Sequence, residues 1–139
     1  MTVTASGDLS PDLKFWHHGG AKLVYCPDPA AAKLADRLGD LAEITGAGPT
    51  LDLGTMLDDL GSRSVDRLMV EGGSHIHTQF LTQGLADELQ LAVAPFFVGD
   101  PAAPRFVNAG TFPHGPGNRM TLTDIRAVGD VAVLRYMLR

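Results

Sequence analysis

Asp66-Arg67-Leu68-Met69-Val70-Glu71-Gly72-Gly73-Ser74 is the stretch on which the fold turns. An apolar run of strand type stops at a glycine pair, and Ser74 stands where a helix to about Gln83 begins, with Gly84 as its C-terminal stop. The same order occurs twice upstream. Lys22-Leu23-Val24-Tyr25-Cys26 is a compact strand ended by Pro27, and Pro29 to Leu38 carries apolar residues at helical spacing before Gly39. Leu41 to Thr45 reads as a short strand, and Thr50 to Leu60 as a helix that ends at Gly61. Three strand-helix units in series predict parallel strands with covering helices and right-handed crossovers.

At the N-terminal side, Thr2-Val3-Thr4-Ala5 is an opening strand, Ser6-Gly7-Asp8 a turn, and the polar stretch to Trp16-His17-His18-Gly19-Gly20 a loop. Beyond Asp87 the grammar becomes antiparallel. Glu88 to Phe97 is a long strand, and Met120 to Val128 and Val131 to Leu138 flank Gly129-Asp130, a hairpin signal. Gly99 to Asn118 holds four prolines and four glycines, which makes it an ordered loop over one sheet edge. With no repeat, low-complexity tract or charge block, the expectation is a single α/β domain over residues 1–139 with one mixed sheet.

Composition narrows the function. The chain has 139 residues, 11 Lys plus Arg against 16 Asp plus Glu, a formal charge of −5 and 45% hydrophobic residues. That charge provides no global field to attract nucleic acid or anionic lipid. No apolar run approaches the roughly 20 residues that span a bilayer, and the first residues lack the basic-then-apolar order of a signal peptide. Cys26 is the only cysteine, so there is no disulfide framework and no multi-cysteine metal site, and a cytoplasmic location is expected.

The chemistry concentrates at the glycine pair. Gly72 and Gly73 let a pyrophosphate approach backbone without a Cβ in the way, and the helix after them offers unpaired N–H groups at the positive end of its dipole. The spacing matches neither a six-position dinucleotide fingerprint nor a Walker loop, and plain turn chemistry is the competing reading. Glu71 falls at a strand end, where open α/β sheets bind ligands, or is simply a solvated carboxylate. His75 and His77 diverge by about 200° on a helix, which argues against a metal pair. No nucleophile stands beside a base in the sequence, so no catalytic residue is assigned. Asp87-Glu88 reads as turn structure; Arg105 and Arg119, which bracket the Gly/Pro-rich loop, could meet a phosphate, but two exposed arginines usually mean solubility.

Leu68-Met69-Val70-Glu71-Gly72-Gly73-Ser74, then His77-Thr78, Gly84-Leu85-Ala86-Asp87-Glu88-Leu89, Ala94-Pro95 and Gly99 occur in an order and spacing that a chance glycine pair does not reproduce. Together they resemble the reductase domain of bacterial riboflavin-specific deaminase/reductase, a branch of the dihydrofolate-reductase-like fold. Thr2 to Leu9 and Phe96 to Pro101 are similar too. The resemblance implies a mixed sheet flanked by helices, an NADPH cofactor, and reduction of 5-amino-6-(5-phosphoribosylamino)uracil to the ribitylamino product, with hydride delivered to ribose C1′. It implies cofactor contacts from Thr4, Ala5 and Ser6 in the first turn and from Gly72, Gly73, Ser74, His75, Ile76, His77, Thr78 and Gln79. Glu71 would face the substrate. His75 and His77 replace the small or apolar residues more usual in the family. A homodimer without metal is the expected assembly. The Ser-x-Asp-Gly strand, helix and Val-Gly-x-x-Thr strand with which the family begins have no counterpart here, so the match is to the C-terminal part of that domain. A non-catalytic nucleotide-binding or partner-binding fragment is the alternative expectation.

Overall fold

Two strands of the first half are each followed by an α-helix, and the burial is shared between strand and helix. In the computed structural model, which describes residues 1–138, the chain divides into two compact units, Met1–Leu68 and a second from Met69 onward. The first unit holds β1 (Thr2–Val3), β2 (Leu23–Cys26) and β3 (Glu43–Gly46) in a parallel sheet of order β1-β2-β3. Thr2 pairs with Val24, and Leu23 to Cys26 pair with Glu43 to Gly46. Central β2 is sealed on both faces: Val24, Tyr25 and Cys26 are all 0% exposed. Alternation sends Val24 and Cys26 to one face, where they pack with Leu34 and Leu38 of α1 (Asp28–Leu38) and with Trp16 and Ala42. Tyr25 points the other way and donates its hydroxyl to Asp59 Oδ2, 2.6 Å distant on α2 (Leu53–Ser62).

The helix boundaries are physical. Asp52 caps α2 by accepting the Thr55 N–H at 2.6 Å, so the cap lies two residues beyond the Thr50 cap suggested by the sequence. Its end is also displaced. Gly61 lies inside the helix, and Ser64, at φ 64°, makes the left-handed exit while Ser64 and Val65 donate to the carbonyls of Gly61 and Leu60. A 3₁₀ turn at Lys14–His17 interrupts the long loop and buries Trp16, whose indole N–H donates to the Ser10 carbonyl at 2.7 Å.

The second unit is built from α3 (Ser74–Thr82) and β4 (Glu88–Val93), β5 (Thr121–Val128) and β6 (Val131–Met137), antiparallel in the order β4-β6-β5. Gly84, at φ 66°, ends α3 as expected, with the Leu85 N–H on the Phe80 carbonyl. Gly129, at φ 63°, opens the two-residue hairpin between β5 and β6, and a bulge between Leu122 and Asp124 shifts the ladder. Phe80 and Leu138 are the buried hydrophobic residues described in this unit, whereas β5 is exposed along its whole length.

Two elements depart from the sequence reading. Residues 66–71 form no strand, and Met69 is 74% exposed, because neither sheet offers this segment a backbone ladder among the described residues. β4 stops at Val93 rather than Phe97, where the Phe96 N–H turns back onto the Ala94 carbonyl. Parallel and antiparallel pairing, expected in one mixed sheet, occupy two three-stranded sheets. The loop 99–118 is tied to α3: the Asn108 N–H donates to Thr78 Oγ1 at 2.8 Å, and Gly110 lies against the methyls of Thr78 and Thr82. No helix among the described residues is long and apolar enough to cross a membrane.

Candidate functional site

Gly73 is the N-cap of α3, extended at φ −76° and ψ 177°. A cap without a side chain leaves the helix end bare. The His77 N–H is bonded to the Gly73 carbonyl at 3.3 Å, so by helix geometry the N–H groups of Ser74, His75 and Ile76 have no intrahelical acceptor. No acidic residue lies in the first turn to occupy them. The two glycines act differently. A Cβ at Gly72 would overlap Cγ2 of Ile76, whereas one at Gly73 would have nothing within 4 Å.

This helix end opens onto a shallow cavity of about 230 Å³ lined by Gly72, Gly73, Ser74, His77, Pro104, Arg105 and Phe106. Long-range bonds assemble it. Ser74 donates its hydroxyl to the Arg105 carbonyl, His77 accepts the Gly72 N–H at Nε2 (3.2 Å), and His77 Nδ1 lies 3.4 Å from the Phe106 carbonyl oxygen. Thr78 donates to the Ser74 carbonyl at 2.6 Å and accepts from Asn108. Backbone N–H groups, an arginine and no lining carboxylate make this a place for an anion.

The expected site residues divide on this geometry. Gly72, Gly73, Ser74 and His77 line the cavity; Ile76 packs on Gly72; Thr78 braces the loop behind it. His75 is exposed and outside the lining, as is Glu71, and Gln79 lies on the following turn, its carbonyl bonded to the Gln83 N–H. Thr4, Ala5 and Ser6 lie in the first unit, in the turn after β1. There the Thr4 N–H donates to the Tyr25 carbonyl, Thr4 Oγ1 accepts the Gly7 N–H at 3.0 Å, and Ser6 Oγ accepts the Asp8 N–H at 3.2 Å. Sequence reasoning missed Pro104 and Phe106, and set Arg105 aside as a surface residue although it could meet a phosphate. The only local signal was a basic residue in a proline-rich loop, and its meeting with α3, some thirty residues away in sequence, is set by tertiary bonds.

A second, apolar cavity of about 150 Å³ in the same unit shares the wall made by Phe106 and reaches Leu81, Phe112, Met120 and Leu138. Among the described residues, no group of three His, Cys, Asp or Glu side chains is arranged to hold a metal ion.

Comparison with known proteins agrees with this architecture. A curated 2,5-diamino-6-ribosylamino-4(3H)-pyrimidinone 5′-phosphate reductase from Methanothermobacter thermautotrophicus is 31% identical over 141 residues, covering 100% of this chain and 65% of the relative. A pyrimidine reductase-like protein from Corynebacterium diphtheriae superposes with a TM-score of 0.75 at 19% identity, over 98% of this chain and 59% of its own. RibD from Acinetobacter baumannii superposes with a TM-score of 0.75 at 25% identity, over 97% of this chain and 36% of its own. The fold is therefore the mixed α/β, dihydrofolate-reductase-like one. The profile of one family, described as the RibD C-terminal domain, matches residues 2–134, from the first strand to within β6, and to that family the chain belongs.

Proposed function

We propose that the chain is an NADPH-dependent pyrimidine reductase that converts 5-amino-6-(5-phosphoribosylamino)uracil to its ribitylamino product in riboflavin biosynthesis. The observation that carries this reading is the bare N-terminus of α3, open to a carboxylate-free cavity with Arg105 in its wall. These residues fit a nucleotide cofactor. The N–H groups of Ser74, His75 and Ile76 would hold a phosphate, Gly73 leaves open the space a Cβ would take, and Arg105 supplies positive charge. NADPH, when bound, supplies the hydride that ribose C1′ accepts. Thr4, Ala5 and Ser6 are proposed as further cofactor contacts and Glu71 as a substrate contact. We further propose that residues 1–139 act as one domain, in the cytoplasm, as a homodimer.

The relative from Methanothermobacter is named for a diaminopyrimidinone, which shares the ribosylamino 5′-phosphate with the proposed substrate and differs at pyrimidine C2. Chemistry at ribose C1′ is common to both, so both belong in the assay. The experiment is calorimetric titration of the full chain with NADPH, repeated with Gly73→Asp, followed by nicotinamide absorbance with each pyrimidine. Binding abolished by Gly73→Asp, with oxidation in the presence of one substrate, supports the reductase; absence of NADPH binding to the wild-type chain overturns it.

A second reading is favoured by residues 66–71, which form no strand beside the glycine pair. Glu71 stands exposed outside the cavity lining, so no catalytic group is assigned beside the cradle, and a nucleotide-binding fragment without turnover predicts binding and no oxidation with either pyrimidine. The chain spans 65% of the curated relative's length, and the assay decides between the two.

A further inference from the structure

We propose that His77 is the positioning residue of the α3 cradle, acting as a neutral imidazole clamp between two loops rather than as a phosphate contact. The consequence for binding rests on the cofactor reading above; the clamp itself rests on geometry alone. An amide N–H only donates and a carbonyl oxygen only accepts. His77 Nε2, which takes the Gly72 N–H at 3.2 Å, therefore carries no proton, and Nδ1, which faces the Phe106 carbonyl at 3.4 Å, carries one. Of the three protonation forms of imidazole, only the neutral Nδ1–H tautomer makes both bonds. The ring also lies 5.3 Å from the Phe106 ring at 42°, a tilted aromatic contact on the same side.

The clamp has a second arm. Ser74, one helical turn before His77 and on the same face, donates its hydroxyl to the Arg105 carbonyl, so the first turn of α3 is fastened to two consecutive carbonyls of the neighbouring loop. This places Arg105 in the wall of the cavity that the glycine pair also lines. With both nitrogens of His77 and the hydroxyl of Ser74 committed, the groups left for an anion are the N–H donors of residues 74–76 and the Arg105 guanidinium. His77 sets the distance between the Gly72-Gly73 edge and the 105–106 edge.

The test combines a spectroscopic signature with variants of the full chain. Long-range ¹H–¹⁵N correlation is expected to find His77 with a protonated Nδ1 and a bare Nε2 at neutral pH, and amide exchange at Gly72 is expected to quicken in His77→Phe. That variant keeps an aromatic ring against Phe106 and loses both bonds, so NADPH binding weakens about tenfold with the melting temperature nearly unchanged. His77→Gln, whose amide oxygen can still accept from Gly72, recovers part of the loss. His77→Lys, a cation that cannot accept from Gly72, binds more weakly than the wild type. An Nε2–H tautomer, unchanged Gly72 exchange in His77→Phe, or tighter NADPH binding by His77→Lys would each overturn the proposal. If the wild-type chain binds no NADPH, the cofactor reading fails, while the tautomer and the Gly72 exchange still decide whether the clamp exists.

Discussion

Gly72 and Gly73 are identical in the sequence and opposite in consequence. A Cβ at Gly72 would collide with Ile76 Cγ2, and a β-branched side chain in the first turn of a helix has little rotamer freedom to move aside. Gly72→Ala is therefore expected to destabilise the chain by about 1–3 kcal/mol, the ordinary cost of overpacking. Gly73→Ala meets nothing and should melt with the wild type, yet it weakens NADPH binding because its methyl enters the space reserved for the ligand. Thermal melts and titrations of the two variants side by side check both outcomes; equal melting temperatures would contradict the packing assigned to Gly72. The glycine pair was legible from its place before an apolar helix. Which glycine packs and which stays open was not, because that depends on where the Ile76 side chain falls.

Elements are held by polar bonds that a hydrophobic pattern does not announce. On one face of β2, Tyr25 donates to Asp59 on α2; Asp59 pairs with Arg63 at 2.7 Å, and Arg63 with Glu43 on β3 at 2.7 Å. Burial, then the hydrogen bond to Asp59, pushes the Tyr25 phenol up to about 12 from its ordinary 10.0. A phenol with a raised folded-state pKa contributes stability that is complete below pH 10 and is lost as pH climbs toward about 12. Tyr25→Phe should cost about 1 kcal/mol at neutral pH and flatten that alkaline loss, measured by urea denaturation across pH. The Asp52 cap works in the opposite direction. The Thr55 backbone N–H holds its carboxyl below the usual range, so its contribution is present above the ordinary carboxylate pKa and disappears as pH falls through the lowered value. Asp52→Ala is expected to lower the melting temperature at pH 7, with the gap to wild type closing in acid; a gap that persists in acid would argue against the charged cap. Helices α1 and α2 were visible in the 3.6-residue pattern, while the third strand was not realised, since an apolar run becomes a strand only when another strand supplies its ladder.

At the scale of the molecule, the described core is uneven. The first unit buries Val24, Tyr25, Leu34, Leu38 and Met56 completely or nearly so, whereas the second leaves Phe96, Phe97, Val98, Ile125 and Val128 exposed. Phe97 is 101% exposed and gains nothing from folding within the chain. Contiguous exposed apolar surface marks interaction sites in general, and the homodimer proposed above is the occupant to test here. Phe97→Ser should shift sedimentation toward the monomer while leaving the stability of the monomer within about 0.5 kcal/mol of wild type. A sedimentation profile identical to wild type would remove Phe97 from the interface.

The sequence by itself determined the order of elements: parallel strand-helix units, an antiparallel C-terminal sheet, a Gly129 hairpin and a glycine pair ahead of a helix. These follow from local periodicity and turn chemistry, which act over a few residues and leave a mark in composition. Only the tertiary structure decided that residues 66–71 join neither sheet, that Arg105 and Phe106 face the start of α3, and that His77 joins their loop to Gly72. The reason is physical: the bonds to Arg105 and Phe106 join groups about thirty residues apart, and their geometry is set by the packing of whole elements.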